Sequence, residues 1–243
     1  MSTAGAVVQA ADVHPDPRAV GATIRTLFEL ESGLVRRLAD IAPGSQFGGT
    51  ASAAGELWFV IGGRGSLTLD GYPDLALRPD RGTWVPPGAR YELRHDNDDP
   101  QADGAGLRLD MVALPAASGA SVGGSSGPQT CDLNDCAVEM TGDRRFRVLF
   151  GPGRGCSVAT QFVGEIPPGR APDHSHPYDE LVLVLDGVGI VHIGGTEEAL
   201  SPGTCTHLPP GVSHCLENTG STTMRVLGVF HPADSPAAKL GQH

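Results

Sequence analysis

The sequence predicts an all-β protein made of two successive, similar halves, and three observations carry that prediction. Glycine and proline are frequent, 34 and 20 in 243 residues, which suits many tight turns between short strands and disfavours long helices. The apolar segments are short, and none repeats with the period of a helix. The chain also repeats itself. Pro43-Gly44 matches Pro168-Gly169, residues 56–63 (ELWFVIGG) match 180–187 (ELVLVLDG), and Pro86-Pro87-Gly88 matches Pro209-Pro210-Gly211.

Residues 1–20 lack periodicity and read as a draped arm. The first half, 21–114, holds strand-like segments at 24–29, 33–41, 56–61, 65–70, 83–85, 91–95 and 106–113, separated by Pro-Gly, Gly-Gly and Asp-Gly turn signals. Residues 115–130 (PAASGASVGGSSGPQT) read as a flexible Gly/Ser linker. The second half, 131–243, has segments at 146–150, 158–166, 181–185, 189–193, 204–208, 214–217 and 224–230. The tail from His231 is polar, with a short terminal helix as its expected structure.

Composition narrows the function. Hydrophobic residues at 40% and charged residues at 19% describe a soluble globular chain. A net charge of -11 opposes a nucleic-acid partner, which would need a basic face. It leaves a small-molecule substrate open, since a pocket can carry a local field of either sign. The longest apolar run, 181–185, is far too short to cross a bilayer, so no membrane partner is expected. The N-terminus has no basic start followed by an apolar core, and five cysteines without a CxxC pair suit free thiols in a reducing compartment. The expected localisation is cytoplasmic.

The chemistry concentrates in residues 169–187, GRAPDHSHPYDELVLVLDG. His174, His176 and Glu180 are all even-numbered, so an extended backbone would aim them at one point. A second stretch, 203–218 (GTCTHLPPGVSHCLEN), offers His214 three residues after a Pro-Pro-Gly turn. Three imidazoles and one carboxylate make a candidate divalent-metal site.

These spacings, G-x4-HxH-x3-E-x6-G and G-x5-PxG-x2-H-x3-N separated by fifteen residues, resemble the paired motifs of the cupin superfamily. The first motif is one residue short between Gly169 and His174; Gly203, Pro209, Gly211, His214 and Asn218 all fall on the second. Because the halves repeat, the resemblance covers nearly the whole chain. It implies a bicupin: two tandem double-stranded β-helix (jelly-roll) barrels, with His174, His176, Glu180 and His214 as metal ligands. Closure of each barrel would limit exposed strand edges. The resemblance also brings a homodimer into view, since many cupins associate by strand exchange.

The first half departs from the pattern. Its HxH positions are Thr50 and Ser52, its last ligand position is Tyr91, and only Glu56 is kept. One carboxylate without imidazoles holds a transition metal poorly, so no metal is expected there. Asp80 stands where the second half has Gly203.

Mixed nitrogen and oxygen ligation with open positions suits Fe(II), Mn(II), Ni(II), Co(II) or Zn(II), and an open position marks a catalytic site. The expectation is one metal per chain. Two mechanisms use it: a dioxygenase reaction, placed slightly ahead, or Lewis-acid isomerase, lyase or decarboxylase chemistry. A non-catalytic binding module is the competing class. Tyr178 shares parity with the ligands, so it either projects into the barrel mouth as a donor or acid or packs at the rim. Of Gln161 and Phe162, one should face the pocket; Val182, Val184 and Leu216 would supply apolar walls, and His207, before the Pro-Pro turn, could touch substrate. Arg147, Arg154 and Arg170 are candidates for binding an anion. Cys215, next to His214, should face away from the metal.

Overall fold

The computed structural model describes residues 5–96, 106–116 and 126–237. They form two compact units: Val13–Asp135, and the residues up to Asp12 together with those from Cys136 onward. Both are built almost wholly from antiparallel strands.

In the first unit a six-stranded sheet runs in the order Gln129–Asp132, Arg81–Val85, Glu56–Gly62, Leu107–Ala113, Val35–Ile41, Ala22–Glu29. A four-stranded sheet runs Gln46–Thr50, Arg90–His95, Gly65–Leu69, Leu75–Leu77. Alternation along the strands turns Ile24, Ala39, Ile41, Trp58 and Val60 of the large sheet and Leu67, Leu69 and Leu93 of the small one into a shared core.

The second unit repeats the plan. Its large sheet runs Ala6–Gln9, Thr204–Leu208, Asp179–Asp186, Met224–His231, Thr160–Ile166, Arg144–Phe150, Glu139–Thr141. Its small sheet runs Gly169–Arg170, His214–Asn218, Gly189–Ile193, Thr196–Leu200. Val182, Val184 and Val226 meet Val191, Ile193 and Leu216 between the sheets.

The repeat extends into segments that looked irregular. Ala6–Gln9 pairs with Thr204–Leu208, with Ala6 opposite His207 and Gln9 opposite Thr204, and is followed by a 3-10 turn at Ala10–Asp12. Gln129–Asp132 pairs in the same way with Arg81–Val85 and is followed by a 3-10 turn at Leu133–Asp135. Each turn docks through a matching backbone bond, Ala10 N–H to the Gly203 carbonyl (3.1 Å) and Leu133 N–H to the Asp80 carbonyl (2.9 Å). The accepting residues share the left-handed conformation, φ 87° at Gly203 and φ 62° at Asp80. Asp80 therefore keeps the turn geometry of its glycine counterpart despite carrying a Cβ.

The expected organisation changes accordingly. The arm contains a strand, because the edge of Thr204–Leu208 offers a hydrogen-bonding template to a segment too short to read as a strand by itself. Residues 131–135 lie with the first unit rather than opening the second. Of the linker, residues 117–125 lie outside the described residues, while 129 and 130 begin a strand. No helix occurs among residues 232–237, and the rest of the tail lies outside the described residues. All five cysteines are free thiols. Among the described residues no helix is long and apolar enough to cross a membrane.

Candidate metal centre

Three short segments of the second unit converge at one end of its barrel. His174 and His214 form an isolated antiparallel bridge, each N–H donating to the other's carbonyl at 2.9 and 2.8 Å. Gly211, at φ 73° in the Pro-Pro-Gly turn, donates its N–H to the His176 carbonyl at 2.8 Å. Glu180 enters at the start of the strand Asp179–Asp186, and His214 opens His214–Asn218. Strand alternation therefore does not carry residues 174–180, since 175–178 lie outside any strand; the backbone bonds to the turn do that work.

The imidazoles share one orientation. Nδ1 of His174, His176 and His214 lies 3.2, 2.8 and 2.8 Å from the carbonyls of Pro172, Tyr178 and Val212. A carbonyl only accepts, so each Nδ1 carries the hydrogen and each Nε2 keeps its lone pair for the cavity. Backbone carbonyls commonly orient metal-ligating histidines this way. His176 Nε2 then faces Glu180 Oε2 at 2.9 Å, acceptor against acceptor, unless a cation or proton lies between them. The buried Nε2 of His214 has no hydrogen-bond partner. Donor atoms of His176, Glu180 and His214 lie within 4.8 Å of one another. His174 stands beside this group, its ring centroid 4.5 Å from that of His214 and 6.4 Å from that of His176. Lone pairs without protein partners, aimed at one carboxylate, fit a divalent metal. Burial lowers the pKa of His174, with the nearby Arg144 charge adding to it, and pushes His214 down to about 4. Both imidazoles are thus neutral, as ligands must be, at ordinary pH.

The centre opens on a cavity of about 180 Å³. Phe146, Phe162, Val182, Leu216 and Phe230 form its apolar walls. Tyr178 is buried, its ring stacked on His176 with centroids 4.2 Å apart and 6° between planes. Burial and then the charge of Glu180 raise the Tyr178 pKa, so the hydroxyl stays protonated and can donate.

Tyr178, Phe162 and Val182 thus line the cavity, whereas Gln161 and His207 do not. With Phe162 facing in, Gln161 must face the other way, where it is fully buried and its amide atoms have no hydrogen-bond partner. His207 alternates with cavity-lining Leu208, and its Nε2 lies 2.7 Å from Asp179 Oδ1. Val184 is a core residue deeper in the barrel. Arg147 and Arg170 are engaged elsewhere, with Glu165 at 2.8 Å and with Asp173 at 3.3 Å, and Arg154 lies outside the cavity lining. Cys215 accepts from Arg170 Nε at 3.4 Å, away from the cavity.

The cavity cations are Arg144 and Arg145, with Asp234 also at the lining. Arg144 has the parity of Phe146 and begins the same strand. A strand read as starting at 146 leaves it out; extending the alternation two residues upstream would have included it. Its Nε is buried without a hydrogen-bond partner.

Residues 162–230 match the Cupin_2 family model, described as a cupin domain. No curated protein sequence matches the chain significantly. Among solved structures, a Pseudomonas aeruginosa protein described as glyoxylate-induced superposes with TM-score 0.78 at 17% identity, covering 99% of this chain and 93% of the other. The E. coli protein Ylba gives 0.75 at 10% identity, with coverages of 96% and 93%. A single-site variant of Bacillus subtilis oxalate decarboxylase gives 0.72 at 12% identity, covering 96% and 78%. These likenesses extend over both barrels. The chain is a two-barrel cupin-fold protein whose histidine and glutamate motif is complete only in the second barrel.

Proposed function

We propose that the second barrel is the active site of a metal-dependent enzyme acting on a small carboxylate that also bears a carbonyl or hydroxyl group. The carrying observation is Arg144, a guanidinium with a buried, unpartnered Nε beside three inward-facing imidazoles. His174, His176, Glu180 and His214 would hold the metal, which when bound supplies a Lewis acid beside the substrate oxygen. Arg144 then takes the carboxylate, whose planar pair of oxygens matches its fork of donors. The Tyr178 hydroxyl, protonated across the working pH range, donates to oxygen on which charge develops. The phenylalanine walls keep water away, which strengthens each of these interactions. Asp234 is the carboxylate available to accept a proton.

A protonated donor and a base in one cavity favour proton-transfer chemistry, of the isomerase, lyase or decarboxylase kind, over the oxygen chemistry placed first from the sequence. The dioxygenase reading rests on the donor set alone, which also suits Fe(II). Incubating metal-replete protein with 2-oxo and 2-hydroxy carboxylates, followed by proton NMR and an oxygen electrode, separates the readings. We expect substrate loss without oxygen uptake, and at least about a tenfold rise in KM in Arg144→Gln, the scale of one charge-assisted hydrogen bond. Stoichiometric oxygen uptake would move the assignment to a dioxygenase. Full metal occupancy with no turnover across the panel would leave a binding module.

A further inference from the structure

The first unit has a cavity of its own, about 470 Å³, at the place corresponding to the metal centre. Ile24, Phe47 and Met111 give it apolar surface, and Arg37, Glu56 and Tyr91 bring polar groups. Arg37 shares the inward face of its strand with Ala39 and Ile41 and occupies the place that Phe162 holds in the second barrel. An arginine therefore stands inside a barrel where the repeat has an apolar wall.

The anionic groups around it already have donors. Asp16 accepts from Arg18 Nε at 2.9 Å and Nη2 at 2.8 Å. Glu56 accepts the Ser52 N–H at 2.9 Å and the Trp58 indole N–H at 2.6 Å. Arg37 has no hydrogen bond or ion pair with any described residue; its charge reaches Asp16 and Tyr91 through space alone, so its donor groups are left for a ligand. Tyr91 stands where the second barrel has His214. Gly49 makes room for it, since a Cβ at that position would lie 2.5 Å from the Tyr91 hydroxyl. Burial, then the charge of Glu56, pushes the Tyr91 pKa up to about 12, so the phenol is a neutral donor.

We propose that the first barrel, without metal, binds a small monocarboxylate with an apolar body, its carboxylate held by the Arg37 guanidinium and the Tyr91 hydroxyl. The buried charge of Glu56 selects against a second carboxylate on the same ligand. The apolar body meets Ile24, Phe47 and Met111. This site is independent of the reaction proposed for the second barrel.

The chain's only tryptophans, Trp58 and Trp84, both belong to the first unit, so their fluorescence reports on this barrel alone. Full-length metal-replete protein would be titrated with benzoate, with benzamide as the uncharged control. Calorimetry would detect binding and fluorescence would place it. We expect saturable benzoate binding with a Kd of about 1 mM or tighter, a parallel fluorescence change, and no response to benzamide. Arg37→Gln should weaken binding about tenfold or more, and Arg37→Lys should restore part of it. Tyr91→Phe should weaken it about threefold to tenfold, which keeps the test open should Arg37→Gln fold poorly. His176→Ala should leave it unchanged. Absence of binding, undiminished binding in Arg37→Gln, or loss in His176→Ala would each overturn the proposal.

Discussion

Glu180 and Glu56 hold equivalent positions with opposite neighbours. Glu180 faces a histidine lone pair at 2.9 Å, whereas both oxygens of Glu56 accept protein N–H groups. His176→Ala removes one of the orphaned lone-pair donors, and metal affinity should fall at least about 100-fold, read as metal per chain after gel filtration. Glu56→Ala should leave metal content unchanged. It strands the Trp58 indole N–H and the Ser52 N–H instead, costing about 1–3 kcal/mol in a denaturant titration followed by tryptophan fluorescence. Metal loss in Glu56→Ala would reverse the assignment of the barrels. At this scale the sequence was informative for His174, His176, Glu180 and His214, because residue type and spacing alone nominate ligands. It was silent on Arg144 and Arg37. Their role depends on which way a strand-end side chain points and on whether another residue neutralises it, and neither is local in sequence.

Elements with a nearly continuous apolar run or flanking turn glycines could be read, such as Glu56–Gly62, Asp179–Asp186 and Met224–His231. Short polar strands could not. Thr196–Leu200, TEEAL, has one buried residue, and Gln46–Thr50 has none, so neither shows an apolar pattern. Ala6–Gln9, AVVQ, is apolar but only four residues long, yet it completes the large sheet of the second unit. Val7 packs on that core, and Gln9 Nε2 donates to Ser201 Oγ at 3.0 Å. Deleting residues 1–12 should therefore destabilise the second unit by about 2 kcal/mol or more, from the lost apolar burial and ladder bonds. It also bares the edge of Thr204–Leu208, so aggregation on concentration should rise. A fragment beginning at residue 131 has the same defect and should behave like the deletion. Unchanged thermal stability and solubility of the deleted protein would show that the strand contributes nothing.

The whole molecule consists of two units that each bury their own core. The repeat made this plan legible, since paired Pro-Gly turns and matched apolar runs recur in order. The placement of Ala6–Gln9 in the second unit was not, because sheet pairing between segments almost two hundred residues apart leaves no periodic mark. Metal bound only to the folded second unit stabilises that unit by RT ln(1 + [metal]/Kd), about 2.7 kcal/mol at a hundredfold excess over Kd. The first unit has no term of this kind. Tryptophan fluorescence sees only the first unit, while far-ultraviolet circular dichroism sees the strands of both. Chelation should therefore lower part of the dichroism transition by several degrees and leave the tryptophan transition in place, and restoring metal should reverse the shift. An equal fall in the tryptophan transition would mean that the first barrel draws its stability from the metal as well, and the two could not then be assigned separate tasks.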